Sequence, residues 1–235
     1  MSLVVDAKDR DLRAVSAELK EVVDAKDRDL RSVSAELKEK VANGPVKIKR
    51  ASHLHGLVAG FKSGDVTIEG NAGDYLGALN DGATIRIQRN VGRYLADNMT
   101  RGTVIVEGSA EYGVGAYCYG GTAVVKGNAG DFAAVMNKGA TIIVSGNVGD
   151  EVATYMLAGD LVIVGNAGKN LGNYLIRGNI YVGGEWESLG HNTLLAEMTP
   201  ADLAKLRGYF GEYGIEADPS TFRKIVRRSE KPFYK

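Results

Sequence analysis

The sequence predicts an all-β fold: a single-stranded right-handed β-helix of about 6–7 coils, flanked by helical segments at both ends. The middle of the chain repeats every 19 residues, holds 27 of the 31 glycines and contains none of the four prolines. A repeat this short cannot enclose its own core, so its copies must stack into a solenoid. We divide the chain into an N-terminal segment (1–45), the β-helix (46–190) and a C-terminal segment (191–235).

Each repeat contains one short strand. Two apolar columns run through the repeats two residues apart, as in Val66 and Ile68 and then Ile85 and Ile87. Period-two alternation places both columns on the inner face of the strands. Left-handed β-helices of the hexapeptide type need multiples of six residues, and 19 is not one. The column between the two starts polar and becomes apolar: Thr67, Arg86, Ile105, Val124, Ile143, Val162 and Tyr181.

An asparagine recurs after the strands and marks a turn. Ala or Val follows it and then, in most coils, glycine; Ser109 fills the one missing asparagine position. We expect the glycine to supply a positive φ and the asparagine to bond its own or a neighbouring backbone. The stacked asparagine side chains should also hydrogen-bond one another along the solenoid axis. We interpret this ladder as structural, without a ligand. Its predicted members are Asn71, Asn90, Asn128, Asn147 and Asn166.

Composition excludes several classes of protein. The chain has 29 Lys+Arg and 29 Asp+Glu, so its net charge gives no reason to expect nucleic-acid binding. No apolar run is long enough to span a membrane, and the N-terminus has no signal-peptide core, so we expect a cytoplasmic protein. The single cysteine excludes an internal disulfide framework.

No catalytic or metal constellation stands out. Cys118 shares its column with apolar residues and has no histidine near it, which favours a packed thiol. The three histidines lie at opposite ends of the solenoid, and the aspartate column that contains Asp131 is interrupted by Arg93 and Lys169, which argues against a calcium ladder. We therefore predict no metal site and no catalytic residue.

The stretch Gly127–Gly172, GNAGDFAAVMNKGATIIVSGNVGDEVATYMLAGDLVIVGNAGKNLG, resembles the GXGXG β-helix that forms the C-terminal domain of the glutamate synthase large subunit. The resemblance covers roughly residues 22–235. Met1 is followed by Ser2, so the amidotransferase N-terminal cysteine of that enzyme is missing, and the chain is too short for a flavin-binding barrel. It is thus similar to the stand-alone β-helix subunit of split glutamate synthases and of N-methylglutamate synthase.

This resemblance implies a non-catalytic scaffold that holds a glutamine amidotransferase subunit and a flavin-binding synthase subunit in register. FMN and iron–sulfur clusters are expected on a partner subunit and none on this chain. A similar β-helix subunit occurs in formylmethanofuran dehydrogenase, which stays an alternative. An autonomous β-helix enzyme such as an acyltransferase is less favoured, because that class needs a six-residue period. Self-association of the chain is left open.

The N-terminal segment carries a second repeat. Residues 4–21 and 22–39 match at 17 of 18 positions, with an amphipathic helical pattern in each copy. The second copy resembles the family's lead-in element. The first copy could cap the first coil, dock a partner or pair with itself.

The C-terminal segment begins with a helix signal. Thr199, Pro200 and Asp202 form a predicted helix start, and we expect the helix to run to about Tyr213 and to cover the far end of the solenoid. The tail beyond Pro219 is strongly basic. Such a tail could be solvated, grip a partner subunit or fold back on the acidic solenoid. The predicted partner-interface residues are Arg223, Lys224, Arg227 and Arg228.

Overall fold

The structure, a computed structural model, describes residues 21–231 and forms a solenoid around one 11-stranded sheet. The first nine strands follow one another in parallel, and the last two close the far end in antiparallel pairing, in the order β9-β11-β10. The predicted fold class, an all-β solenoid with helical flanks, is confirmed. The strands are β1 (Glu21–Asp24), β2 (Val46–Lys49), β3 (Asp65–Glu69), β4 (Asp81–Ile87), β5 (Arg101–Val106), β6 (Thr122–Val125), β7 (Lys138–Val144), β8 (Ala158–Ile163), β9 (Asn179–Val182), β10 (Thr193–Ala196) and β11 (Arg223–Arg227). The helices are α1 (Leu30–Lys40), α2 (Pro200–Tyr213) and a short 3-10 helix (Pro219–Thr221).

Strand pairing follows the 19-residue period. Val66 pairs with Ile85, and Ile85 in turn pairs with Val104 one coil later. Both apolar columns point inward and are almost completely buried, as at Ile85 and Ile87. The residues that follow the asparagines add a second line of parallel bridges, beginning with Ala72 and Val91. Stacked apolar residues therefore form one continuous core along the axis.

The remaining side of each coil is a turn in which every second residue has a left-handed backbone. In one coil these residues are Tyr75, Gly77 and Leu79, with φ of 56°, 63° and 58°. For residues other than glycine this conformation costs roughly 1–2 kcal/mol each. The pattern recurs in the following coils, at Tyr94, Ala96 and Asn98 in the next one.

The prediction that glycine supplies a positive φ in the asparagine turn is wrong. Gly92, Gly149 and the other glycines of this column do not have a positive φ. They are needed because consecutive coils approach closely: a Cβ on Gly92 would lie 2.1 Å from Oδ1 of Asp74 in the preceding coil. Sequence alone did not separate these two reasons for a glycine.

The second copy of the N-terminal repeat closes the first coil. It forms β1 and α1, and Val33 and Leu37 of α1 are fully buried against the core. Lys40 donates a hydrogen bond to the carbonyl of Val22, and Arg28 donates one to the carbonyl of Asp24. These side chains occupy the open edge of β1, which would otherwise be free to pair with another strand. Residues 4–20 of the first copy lie outside the described residues.

The predicted C-terminal helix is confirmed with its cap. Thr199 and Asp202 form a capping box, and α2 ends at Tyr213 with Gly214 in the left-handed conformation. Its predicted position is wrong, because α2 packs on the outer face of the sheet while β10 and β11 close the far end. Within residues 21–231, neither helix has the length and apolar character needed to cross a membrane.

The physical reason for this position lies in the middle column of the strands. From β5 onward its outward-facing residues are apolar, and α2 covers them with Leu206 and Phe210. Where the same column is polar, at Thr67 and Arg86 in β3 and β4, it is only half-buried. We call the apolar part the covered column. Its members are Ile105, Val124, Ile143, Val162 and Tyr181.

Candidate functional site

The structure places all five predicted asparagines in one ladder. The side-chain oxygen of Asn128 accepts a hydrogen bond from the backbone N–H of Asn147 at 2.9 Å, and Asn147 accepts one from Asn166 at 2.8 Å. Asn71 and Asn90 act in the same way at 3.1 and 2.9 Å. The donor at each step is the backbone of the next coil, as expected for an asparagine that bonds a neighbouring backbone; the expected bonds between asparagine side chains are not the ones that form the ladder.

A second ladder escaped the sequence analysis. Oδ1 of Asp74 accepts from the backbone N–H of Arg93, and Asp131 and Asp150 repeat this bond one coil apart, all at 2.8 Å. We had weighed this column only as a calcium site. Its 19-residue spacing was visible, but the use of the carboxylates depends on the local backbone. Among the described residues, no group of three or more His, Cys, Asp or Glu could hold a metal ion.

Cys118 is a packed thiol. Its side chain is fully buried, Sγ donates to the carbonyl of Ala96 at 3.0 Å, and burial raises its pKa to about 12. The thiolate form that a nucleophile needs is therefore strongly disfavoured at neutral pH.

The histidines serve separate ends of the solenoid. His53 Nε2 lies 3.0 Å from the carbonyl of Arg28, and His55 Nδ1 accepts from the backbone N–H of Asp74 at 3.0 Å. His191 packs on the ring of Tyr174 at the far end, with 4.9 Å between ring centroids. The three do not form one site.

Most of the predicted basic interface lies within the fold. Arg223 pairs with Glu185 at 3.1 Å, and its guanidinium lies 4.1 Å from the ring centroid of Trp186. Arg227 donates to the carbonyl of Ile176 at 3.3 Å and pairs with Glu230. These contacts match the alternative in which the tail folds back on its own solenoid.

The other two predicted residues differ from each other. The side chain of Lys224 is largely buried in an ion pair with Asp202, whereas Arg228 is exposed at the end of β11. Arg228 is the most exposed member of the set, so the partner-interface prediction is best tested there.

A buried polar cluster fastens α2 and β11 to the solenoid. Tyr181 of the covered column donates to Asp202 at 2.6 Å, and Lys224 donates to both Asp202 oxygens at 2.9 and 3.0 Å. Burial opposes ionisation of Asp202, but hydrogen bonds from Thr199, Tyr181 and Lys224 outweigh it and hold the pKa of this carboxyl well below its usual value. The cluster is fully paired, which marks it as structural.

An aromatic stripe on the left-handed turns is the surface feature that the sequence analysis missed. Rings of consecutive coils stack on one another, with centroid distances of 4.9 Å for Tyr75 and Tyr94 and 5.2 Å for Tyr155 and Tyr174. Leu79 is 59 % exposed. We define the stripe as Tyr75, Leu79, Tyr94, Tyr112, Tyr117, Tyr119, Phe132, Tyr155 and Tyr174.

The geometry of the stripe limits what it can bind. The rings of Tyr75 and Tyr94 stack within 12° of parallel, so each covers one face of the other. Sugars bind aromatic residues through ring faces, so this stacking leaves less ring face for a polysaccharide. Tyrosine-rich surfaces are typical of protein interfaces. The signal of the stripe in the sequence is two columns with 19-residue spacing, one containing Tyr75, Tyr94 and Phe132 and the other Leu79, Tyr117, Tyr155 and Tyr174.

Two open clefts lie on the surface of the described residues. One, of about 530 Å³, lies on the stripe between Arg93, Tyr94 and Tyr112. The other, of about 920 Å³, lies beside β1 and is lined by residues that include Asp24 and Arg50. Asp24 and Arg50 pair with each other, so this second cleft presents no uncompensated charge from them.

Comparison with known families gives one decisive match. A family model described as the GXGXG motif matches residues 31–207, which is well over half of the chain. The chain belongs to the GXGXG motif family. The match confirms the resemblance to the C-terminal domain of the glutamate synthase large subunit. A search of curated proteins finds no match.

The residues matched by the family model cover most of the solenoid. It begins in α1, includes β2 to β10 and reaches into α2, so it contains the asparagine ladder and the whole stripe.

Proposed function

We propose that this GXGXG chain is the non-catalytic scaffold subunit of a glutamate synthase-like, glutamine-dependent flavin amidotransferase complex that makes glutamate or N-methylglutamate. It would hold a glutamine amidotransferase subunit and a flavin-binding subunit in register. FMN and iron–sulfur clusters would lie on the partner. The observation that carries the proposal is the family match over residues 31–207.

The architecture supports a scaffold role. Nine parallel strands spaced about 4.8 Å apart make a body roughly 40 Å long. Asparagine and aspartate ladders and a continuous core tie each coil to the next, so the distance between two points on the body is fixed. A rigid body of this size can hold two catalytic subunits at a set separation.

The test is reconstitution from separately purified subunits. The complete complex should form glutamate or N-methylglutamate from glutamine, whereas omission of this chain should abolish glutamine-dependent synthesis and spare synthesis from free ammonia. The purified chain should show no glutaminase activity and no flavin absorbance. Arg228→Glu tests whether the basic end of β11 contributes to binding of a partner subunit. The control is Arg31→Glu, at an exposed arginine of α1.

Three results would overturn the proposal. The first is full glutamine-dependent activity without this chain. The second is flavin bound to this chain alone. The third is stable assembly with the subunits of a formylmethanofuran dehydrogenase, which would assign the chain to the alternative complex. Acyl transfer by the purified chain would instead support an autonomous enzyme.

A further inference from the structure

We propose that the aromatic stripe joins two copies of this chain side by side, with their solenoid axes antiparallel and a twofold axis between them. The proposal goes beyond the scaffold role, since it concerns the chain without its partners. For the argument we number the turn segments that carry the stripe as coils 1 to 6. They are residues 74–82, 93–101, 112–120, 131–139, 150–158 and 169–177.

The stripe concentrates the exposed apolar surface of the molecule. Within residues 21–231, six large hydrophobic side chains are exposed, and four of them, Tyr75, Leu79, Tyr117 and Tyr119, lie on the stripe. Exposed apolar surface concentrated on one side of a protein is typical of an interaction site. Tyrosine in particular is enriched in interfaces.

Backbone strain points to the same surface. Tyr75, Leu79 and Tyr117 have φ between 56° and 58°, and their side chains are 38–59 % exposed. Each therefore adopts an unfavourable backbone without burying its side chain in this chain. The left-handed turn recurs in every coil, at buried Ala96 as well, so what distinguishes this surface is that tyrosine and leucine occupy it while exposed.

The charges along the stripe select the occupant. Coil 1 carries Asp74 and Asp81, and coil 6 carries Lys169 and Arg177. Coil 2 has one net positive charge and coil 5 has two negative charges, whereas coils 3 and 4 are neutral. These intervening charges are Arg93, Asp97 and Arg101 in coil 2, Asp131 and Lys138 in coil 4, and Asp150 and Glu151 in coil 5.

This pattern is complementary to itself in one orientation. In an antiparallel pair, coil 1 faces coil 6, coil 2 faces coil 5 and coil 3 faces coil 4, so opposite charges meet at both ends. A parallel pair would place each charged coil against its own copy, where like charges repel. Most homodimers form in this way, with the same surface patch of each copy in the interface.

The neutral centre of the stripe fits the twofold axis. Tyr117 and Tyr119 of coil 3 would face coil 4 of the second copy, which carries Met136 and Lys138. Within one chain, Nζ of Lys138 already lies 3.9 Å from the ring centroid of Tyr119. Aromatic and cationic groups thus meet at the point where the charges of the two copies cancel.

The contact is small. Six coils at about 4.8 Å span less than 30 Å, which places the interface at the low end of stable protein interfaces. We therefore expect a reversible dimer that depends on concentration. Exposed ion pairs within the chain reduce the attraction between copies without cancelling it. They join Asp81 to Arg101, Arg93 to Glu111 and Lys169 to Glu187.

A charge swap followed by sedimentation velocity tests the proposal on the full chain. The first variant, Lys169→Glu with Arg177→Glu, makes coil 6 negative. The second, Asp74→Asn with Asp81→Lys, makes coil 1 positive, and asparagine keeps the acceptor for the N–H of Arg93. Each variant alone should associate at least about tenfold more weakly than the wild-type chain, because like charges then meet at both ends.

A mixture of the two charge variants is the decisive test of the antiparallel pairing. An equimolar mixture should recover the dimer, since every end contact then pairs opposite charges. Leu79→Asp should weaken the dimer, whereas Leu195→Asp, at a leucine that is 53 % exposed outside the stripe, should not. Circular dichroism and urea unfolding establish that each variant is folded.

The proposal is overturned by a wild-type chain that stays monomeric up to about 200 μM, the range in which weak interfaces are measurable. It is also overturned if either charge variant alone dimerises like the wild type, or if the mixture stays monomeric. Because partner subunits are absent, these outcomes are independent of the scaffold role. A monomeric chain that still supports glutamine-dependent synthesis would disprove the pair and leave the scaffold.

Discussion

The solenoid has two outward-facing apolar surfaces, the covered column and the stripe, which differ in their exposure to solvent. Residues of the covered column, such as Ile143 and Val162, are fully buried beneath α2. Residues of the stripe, such as Tyr75 and Tyr119, are 44 % and 57 % exposed. Helix α2 thus covers the first surface, whereas Tyr75, Leu79, Tyr117 and Tyr119 of the second are exposed. The comparison teaches that the first surface belongs to the fold and the second to assembly.

The largest effect should come from a charge in the covered column. Ile143→Asp places a carboxylate in a fully buried site beneath α2, and we expect it to lower the free energy of unfolding by about 4 kcal/mol or more. Tyr119→Asp on the stripe is the matched change and should alter stability by less than about 0.5 kcal/mol. Urea unfolding followed by circular dichroism measures both. Equal losses would erase the distinction between the two surfaces.

The next largest effect should come from the cluster that fastens α2. Asp202→Asn leaves Lys224 largely buried without its counter-charge, so we expect a loss of about 3 kcal/mol. Glu230→Gln removes a carboxylate that pairs with Arg227 at the surface and serves as the control, with a change below about 1 kcal/mol. If the two variants unfold at the same urea concentration, the buried cluster does not hold the helix.

Acid should reveal the same cluster. The pKa of Asp202 is lowered in the folded chain, so its contribution to stability is present above the ordinary pKa of 3.8 and is lost as pH falls toward the folded pKa. Below about pH 4 the stability of the wild-type chain should therefore fall more steeply than that of Asp202→Asn. Thermal midpoints between pH 2 and pH 7 test this sign. Parallel curves for the two chains would contradict it.

A smaller effect is expected in the asparagine ladder, which neither surface uses. Asn128→Ala removes the acceptor for the N–H of Asn147 and should cost about 1–3 kcal/mol. Asn128→Ser should cost less, because Ser109 already fills one position of the ladder and accepts from the N–H of Asn128 at 3.1 Å. Unfolding in urea compares the two. Loss of a bound small molecule with unchanged stability would instead make the ladder a ligand site.

The smallest effect should have the opposite sign. Leu79 has φ of 58° and is 59 % exposed, and asparagine adopts this backbone more readily than leucine. We expect Leu79→Asn to raise the stability of the monomer by about 0.5 kcal/mol and to weaken self-association. A thermal melt at low concentration and sedimentation at high concentration measure the two changes. A less stable monomer would show that Leu79 serves the fold.

Much of the fold was predictable because, in a solenoid, the length of the sequence repeat determines which residues of neighbouring strands pair. The 19-residue spacing of Val66, Ile85 and Val104 is the pairing of their strands, and Thr199 with Asp202 identified the start of α2. The position of α2 was also encoded, since the middle column becomes apolar at Ile105.

The stripe was harder to predict for a physical reason. Period-two alternation assigns side chains to faces only where the backbone is extended. In the turns that carry Tyr75 and Leu79, every second residue is left-handed, so the direction of a side chain depends on φ values that the sequence does not reveal. Tyrosine and leucine at such positions do not indicate a left-handed backbone, because that conformation is usually adopted by glycine or asparagine.

Hydroxyl-radical footprinting of the wild-type chain tests the central claim, that the stripe is an assembly surface, most directly. Oxidation of Tyr75, Leu79 and Tyr119 would be compared between dilute and concentrated samples, with Leu195 as the exposed reference. We predict that stripe residues become protected as concentration rises while Leu195 stays unchanged. Equal oxidation of the stripe at all concentrations, or protection of Leu195 instead, would contradict the account.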